Sequence, residues 1–163
     1  MKAVYLPDIS DITENMNVLD NILENLPHLS ADDIIQTLGS EMYEKEFSEL
    51  DKVGNYPKFI QDAIYIIEFD TELAMNGIGG VLENWINCII PKIIKAFQNI
   101  GANQEADILS KIYAIYQTSP CSDEIETLRK SFYLYTSFDI WSLLETYVEQ
   151  EKNKYIANKQ QTN

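Results

Sequence analysis

Pro57-Lys58-Phe59-Ile60-Gln61-Asp62-Ala63-Ile64-Tyr65-Ile66-Ile67 is the stretch whose reading decides the fold class. Proline lacks the N–H that the first turn of a helix leaves unbonded, so Pro57 suits a helix start. Behind it, Phe59, Ile60, Ala63, Ile64, Ile67 and then Leu73 recur at three- and four-residue steps, the period of one helix face. The run ends in Asn76-Gly77-Ile78-Gly79-Gly80, the strongest break in the chain.

The same period extends in both directions. Toward the C-terminus, a helix carries Val81, Leu82, Trp85 and Ile86, and Pro91 starts another through Ile93, Ile94 and Phe97 that Gly101 closes. Asn103 opens a helix through Ala106, Leu109, Tyr113 and Tyr116, and Ser122 opens one through Ile125, Leu128 and Phe132. The last carries Trp141, Leu144, Tyr147 and Val148 and passes into a polar tail, 158–163. Toward the N-terminus, Ile12, Met16, Leu19, Leu23 and Leu26 form a stripe, with Asp11 and Glu14 placed to cap it and Pro27 after it. Ser30 then precedes a short helix with Ile34, Ile35 and Leu38 that is expected to stop at Gly39, and Ser40 is placed to cap a third helix with Met42, Tyr43, Phe47 and Leu50 inward. Only Ala3–Leu6 reads as a strand. The expectation is an all-α, compact bundle of about eight or nine helices, a single domain over 1–157.

The chain has 163 residues, 45% apolar and 23% charged, which suits a globular domain able to bury about 70% of its unfolded surface. No secretory leader and no run near the ~18 apolar residues of a membrane span is visible. Cys88 and Cys121 are far apart and are expected to be free, packed thiols, and the expected location is the cytoplasm.

Catalytic patterns are missing. His28, the sole histidine, stands alone after Pro27, so neither a metal site nor a histidine-based triad can be written. Gly77-Ile78-Gly79-Gly80 is no phosphate loop: Leu82 stands where a third glycine would be needed, and no Gly-Lys-Ser/Thr follows. The aromatic C-terminal third lacks the basic groove of single-strand binders, and its rings recur at helical spacing, as core residues do. The expectation is a binding protein, not an enzyme, with no cofactor and no metal.

Charge is the outstanding feature. There are 26 acids against 12 bases, a net of −14. Residues 8–51 hold 12 acids and one base, Lys45, while 91–163 are nearly neutral. Asp and Glu repel phosphate, so nucleic acid and anionic membranes are excluded as partners and a basic protein is favoured. The candidate partner-binding residues are Asp20 and Glu24, Asp32 and Asp33, and Glu41, Glu44, Glu46, Glu49 and Asp51. Carboxylates three or four residues apart on a helix lie about 5–6 Å apart at Cβ, a row of charge resembling phosphates along a strand. Solubility alone is the competing explanation.

Gly79-Gly80-Val81-Leu82-Glu83-Asn84-Trp85-Ile86-Asn87, with Glu72 as an upstream acid, resembles the signature of a bacterial family of DNA-mimic proteins, formerly described only as a domain of unknown function. Phe97-Gln98-Asn99-Ile100-Gly101-Ala102 with Ala106 and Leu109 is similar to the next block of that family, and Phe132-Tyr133 and Leu143–Tyr147 to its final helices. The resemblance covers roughly 57–155; Asn76-Gly77-Ile78 looks inserted, and Val81 stands where phenylalanine is common. It implies an all-helical fold, a homodimer, and a role in occupying the DNA-binding surface of a transcription regulator. Glu72, Gly79, Gly80, Trp85, Asn87 and Gly101 are then fold-forming residues. An immunity-type antitoxin, or another interaction module without DNA mimicry, is the alternative.

Overall fold

The computed structural model describes residues 18–44, 53–132 and 139–161, excepting the side chains of 41–44. Seven α-helices lie among them: α1 Val18–Asn25, α2 Ala31–Glu44, α3 Lys58–Glu83, α4 Ile90–Asn99, α5 Asn103–Thr118, α6 Asp123–Arg129 and α7 Ile140–Gln161. Single 3-10 turns, Leu26–His28 and Trp85–Ile89, precede α2 and α4. The described residues contain no strand; Ala3–Leu6 lies outside them, as do Ile12, Met16 and the cap expected at Asp11 and Glu14.

The all-α expectation holds, with seven helices among the described residues against the eight or nine expected; Phe47 and Leu50 of the expected third helix lie outside them. Gly39 does not stop α2. A glycine inside a helix costs only about 1 kcal/mol, and burial of Ala31, Ile34 and Leu38 on one face carries the helix past it. Ser40 is no cap; its hydroxyl donates back to the carbonyl of Thr37 at 3.1 Å. At the other end α7 runs through Gln161, so 158–161 continue a helix and are not a tail. No described helix is long and apolar enough to cross a membrane.

The long helix α3 is the axis of the bundle. Phe59, Ile60, Ala63–Ile67 and Phe69 are all buried, so it is covered on nearly every side rather than along one stripe. It packs against α2, α4, α7 and the Trp85–Ile89 turn, while α4 packs on α5, α5 on α6 and α2 on α7. Phe69 meets Phe97 of α4 and Phe132 edge-on, with centroids 5.2 and 5.8 Å away.

The expected break falls inside α3. Gly77 has φ 68° and ψ −170°, a conformation that costs any L-residue heavily, and the helix resumes beyond it. Glu72 ties the two pieces together, one carboxylate oxygen accepting from Asn76 before the break (2.8 Å) and from Asn84 after it (2.6 Å). Asn84 is extended, and the following 3-10 turn puts Ile86 and Ile89 inward. Trp85, expected in the core, is instead 47% exposed. Asn87 donates to the carbonyl of Leu82 at 2.7 Å. Gly101 has φ 89° and completes a Schellman closure of α4, with Ala102 N–H on Phe97 and Gly101 N–H on Gln98. Ser122 caps α6 as expected. Both cysteines are free, but exposed rather than packed.

Candidate functional site

The acidic helices α1 and α2 are held to the rest of the bundle by few, specific contacts. Buried Ile22, Leu26, Ala31, Ile34 and Leu38 give them an apolar underside. The backbone between them is then fixed from α7. Lys152 is buried, and its ammonium donates to the carbonyl of Leu29 (2.8 Å) and to Glu149 (2.7 Å). The Glu149 carboxylate also accepts from Ala31 N–H, at the first turn of α2, at 3.2 Å. The hydrogen bond from Lys152 is the main reason that the Glu149 carboxyl is held below its ordinary range. A second tether joins Tyr56 OH to Asp20 at 2.9 Å.

Asp20 and Glu24 lie one turn apart on α1, and both are exposed. Asp32 and Asp33 are exposed in the first turn of α2 but serve different ends. Asp33 forms a capping box with Ser30: its carboxylate accepts from Ser30 N–H (2.8 Å) and hydroxyl (2.6 Å), while its own N–H donates to the Ser30 hydroxyl (3.1 Å). Those bonds from Ser30 lower its pKa. Asp32, about 100° round the helix, accepts from Gln36 at 2.7 Å. The backbone of Glu41 and Glu44 belongs to the last turn of α2, and Glu46, Glu49 and Asp51 lie outside the described residues.

Among the described residues no lysine or arginine forms an ion pair with these acids, although the lowering at Asp33, due first to Ser30, has a contribution from the charge of Lys152. Among the described residues the ion pairs are Lys58–Asp62, Arg129–Glu126, Lys152–Glu149 and Lys154–Glu151, each within one helix. Lys92 sits over the ring of Tyr65, 5.7 Å from its centroid, and Lys95 reaches Gln98. Asp20, Glu24, Asp32 and Asp33 thus carry no ion pair among the described residues.

Three features escaped sequence reasoning. The first is a cleft of about 350 Å³ where α2, α3 and α7 meet, lined by Asp32, Ile35, Ile67, Asp70, Trp141 and Glu145 among others. It brings Asp32 together with two acids from the other half of the fold, and burial pushes the Asp70 carboxyl above its usual range. The second is fully buried Asp62, which accepts from Lys58, from Asn99 at 2.9 Å and from Tyr147 OH at 2.7 Å, joining α3, α4 and α7. Burial and that bond to a carboxylate raise the Tyr147 pKa. An acid inside so apolar a run as Phe59–Ile67 was the available signal. The third is half-buried Glu68, raised to about 7 by desolvation and then by Glu72 one turn on.

Among the described residues no group of three or more His, Cys, Asp or Glu is placed to hold a metal ion. His28 is exposed in the 3-10 turn before α2.

A family model described as DMP19-like protein, for a family of DNA mimics, matches residues 54–151. No curated protein and no solved structure matches the chain.

Proposed function

Because this chain belongs to the DMP19-like protein family, we propose that it is a protein-binding module that imitates DNA and occupies the DNA-binding surface of a basic transcription regulator. The observation that carries the reading is the state of the acids on α1 and α2. Asp20, Glu24, Asp32 and Asp33 are exposed and carry no ion pair among the described residues, while Lys58, Lys152, Lys154 and Arg129 pair with acids of their own helices. A surface kept this negative, in a chain of net charge −14, repels nucleic acid and steers a cationic partner. Glu41, Glu44, Glu46, Glu49 and Asp51 extend the same charge along the sequence. The protein acts by binding and not by catalysis, in the cytoplasm and as a homodimer.

The test is capture from the native cell on the immobilised protein at low salt, followed by elution with duplex DNA or with salt. The expected partner is a basic DNA-binding protein that duplex DNA displaces and that is lost near 1 M salt, where the Debye length falls to about 3 Å. Reversing Glu41, Glu44 and Glu49 to lysine should abolish capture. A partner that persists in high salt, ignores DNA and is not basic overturns the mimic and leaves an antitoxin-like module.

A further inference from the structure

The cleft between α2, α3 and α7 is a built pocket of a particular kind. Ile35 and Ile67 with the indole of Trp141 provide apolar walls, and Asp32, Asp70 and Glu145 enter from three different helices. Among the described residues no lysine or arginine lines it. Its volume of about 350 Å³ suits one long side chain rather than a helix or strand. The carboxylates are not gathered as metal ligands are.

We propose that this cleft receives an arginine side chain of the protein's basic partner, its methylene stem along Ile35 and Ile67, its guanidinium between the Trp141 ring and the carboxylates of Asp32, Asp70 and Glu145. The inference rests on the binding-module reading above and names the side chain that engages it. Arginine fits better than lysine on three counts. Its planar cation stacks on an aromatic face, its five fixed donors serve several carboxylates at once, and it is more weakly hydrated than an ammonium. Asp32 gives one oxygen to Gln36, and a carboxylate has sites for further donors. The desolvation that Asp70 already bears makes an arriving cation more favourable there than on open surface.

The chain has two tryptophans, so Trp85→Phe, at an exposed position, leaves Trp141 as the single tryptophan, excited selectively over the tyrosines. This full-length variant is titrated with a blocked octa-arginine peptide at low salt. Saturable change in Trp141 emission is expected. Asp32→Asn and Glu145→Gln, each made in that background, should weaken binding about tenfold. Neutralising Asp123 and Glu124, exposed acids on α6, should change it less than about twofold, and octalysine should bind several-fold more weakly. Asp32 and Glu145 are both exposed, so each variant is expected to fold, checked by its helical circular dichroism. A silent Trp141, or cleft variants that bind as the parent does, overturns the proposal, as does equal affinity for octalysine. If the cleft fails while a DNA-displaceable partner is still captured, only this inference falls; if the titration behaves as expected and no such partner exists, the DNA-mimic reading falls and the arginine pocket stands.

Discussion

Gly79 and Gly80 are adjacent and look equivalent in the sequence, yet replacing each with alanine should have opposite effects. Neither has the positive φ that marks Gly77, so the backbone accepts a side chain at both. A Cβ on Gly79 meets nothing within 4 Å. Gly79→Ala then gains only helix propensity, up to about 1 kcal/mol. A Cβ on Gly80 would lie well inside contact distance of Asn76 Cβ, and 2.6 Å from the Glu72 carboxylate oxygen that holds Asn76 and Asn84. Asn76 Cβ is fixed to its backbone and cannot swing aside, so the turn after Gly77 must shift. Overpacking costs about 1–3 kcal/mol. Weakening two partly solvated hydrogen bonds to a carboxylate adds about 1 kcal/mol, and the propensity gain offsets a similar amount. The net for Gly80→Ala is a loss of about 1–3 kcal/mol. In a domain of this size that lowers Tm by roughly 2–12 °C, against a rise of up to about 4 °C for Gly79→Ala. Thermal and urea melts followed by helical circular dichroism read both. Removing the opposing Cβ with Asn76→Gly should recover at least about 1 kcal/mol of the Gly80→Ala loss, beyond additivity. Gly80→Ala melting within about 1 °C of the parent, or the two glycine variants behaving alike, would refute this account of the motif.

Glu68 has a folded-state pKa raised from 4.5 to about 7, so its stabilising contribution is complete below pH 4.5 and is lost as pH rises through 7. Glu68→Gln should therefore flatten the fall in Tm between pH 5 and pH 8 and stabilise the protein at pH 8 by on the order of 1 kcal/mol, after screening by the water that still reaches the group; an unchanged pH profile would count against it. Lys152→Met leaves the Leu29 carbonyl without its ammonium donor, at about 1–3 kcal/mol; hydrogen exchange should accelerate in α1 and the first turn of α2 while α3 and α4 stay protected, and uniform acceleration would contradict the clamp. Tyr147→Phe removes one of three donors to buried Asp62, for a loss of about 2 kcal/mol, or roughly 4–8 °C in Tm, and a loss below about 0.5 kcal/mol would argue against a buried network.

Periodicity made the helices legible because a helix face buries every third or fourth residue wherever it packs. Pro57, Pro91, Gly101 and Ser122 marked ends for local reasons that tertiary structure does not override. Gly39 and Ser40 misled because their cost is small beside the burial of Ile34 and Leu38. Trp85 misled because one extended residue, Asn84, changed the register after it. The acid pattern of α2 was legible as charge but not as geometry. Asp33 is occupied by Ser30, and Asp32 turns toward α3 and α7, where Asp70 and Glu145 meet it from 38 and 113 residues away in sequence. No periodic signal records such a meeting.

The family match begins at residue 54, just after the acids of α1 and α2, and ends at 151, one residue before Lys152. The stretch matched therefore holds the scaffold, the Glu72–Gly80 turn and the Asp62 network. What binds a basic partner on the present reading is mounted on that scaffold through Lys152, Glu149 and Tyr56. A row of charges imitates a duplex only if it is held rigid, since a mobile segment gives up entropy on docking and loses the spacing of its charges. On the DNA-mimic proposal, the joint with α7 thus matters as much as the carboxylates themselves. Lys152→Met, which keeps every acid in place but frees Glu149 of its ion pair, should lower affinity for the captured regulator while leaving net charge more negative, not less. Long-range attraction alone would predict the reverse, and affinity unchanged or raised in that variant would show that charge, without a fixed frame, suffices.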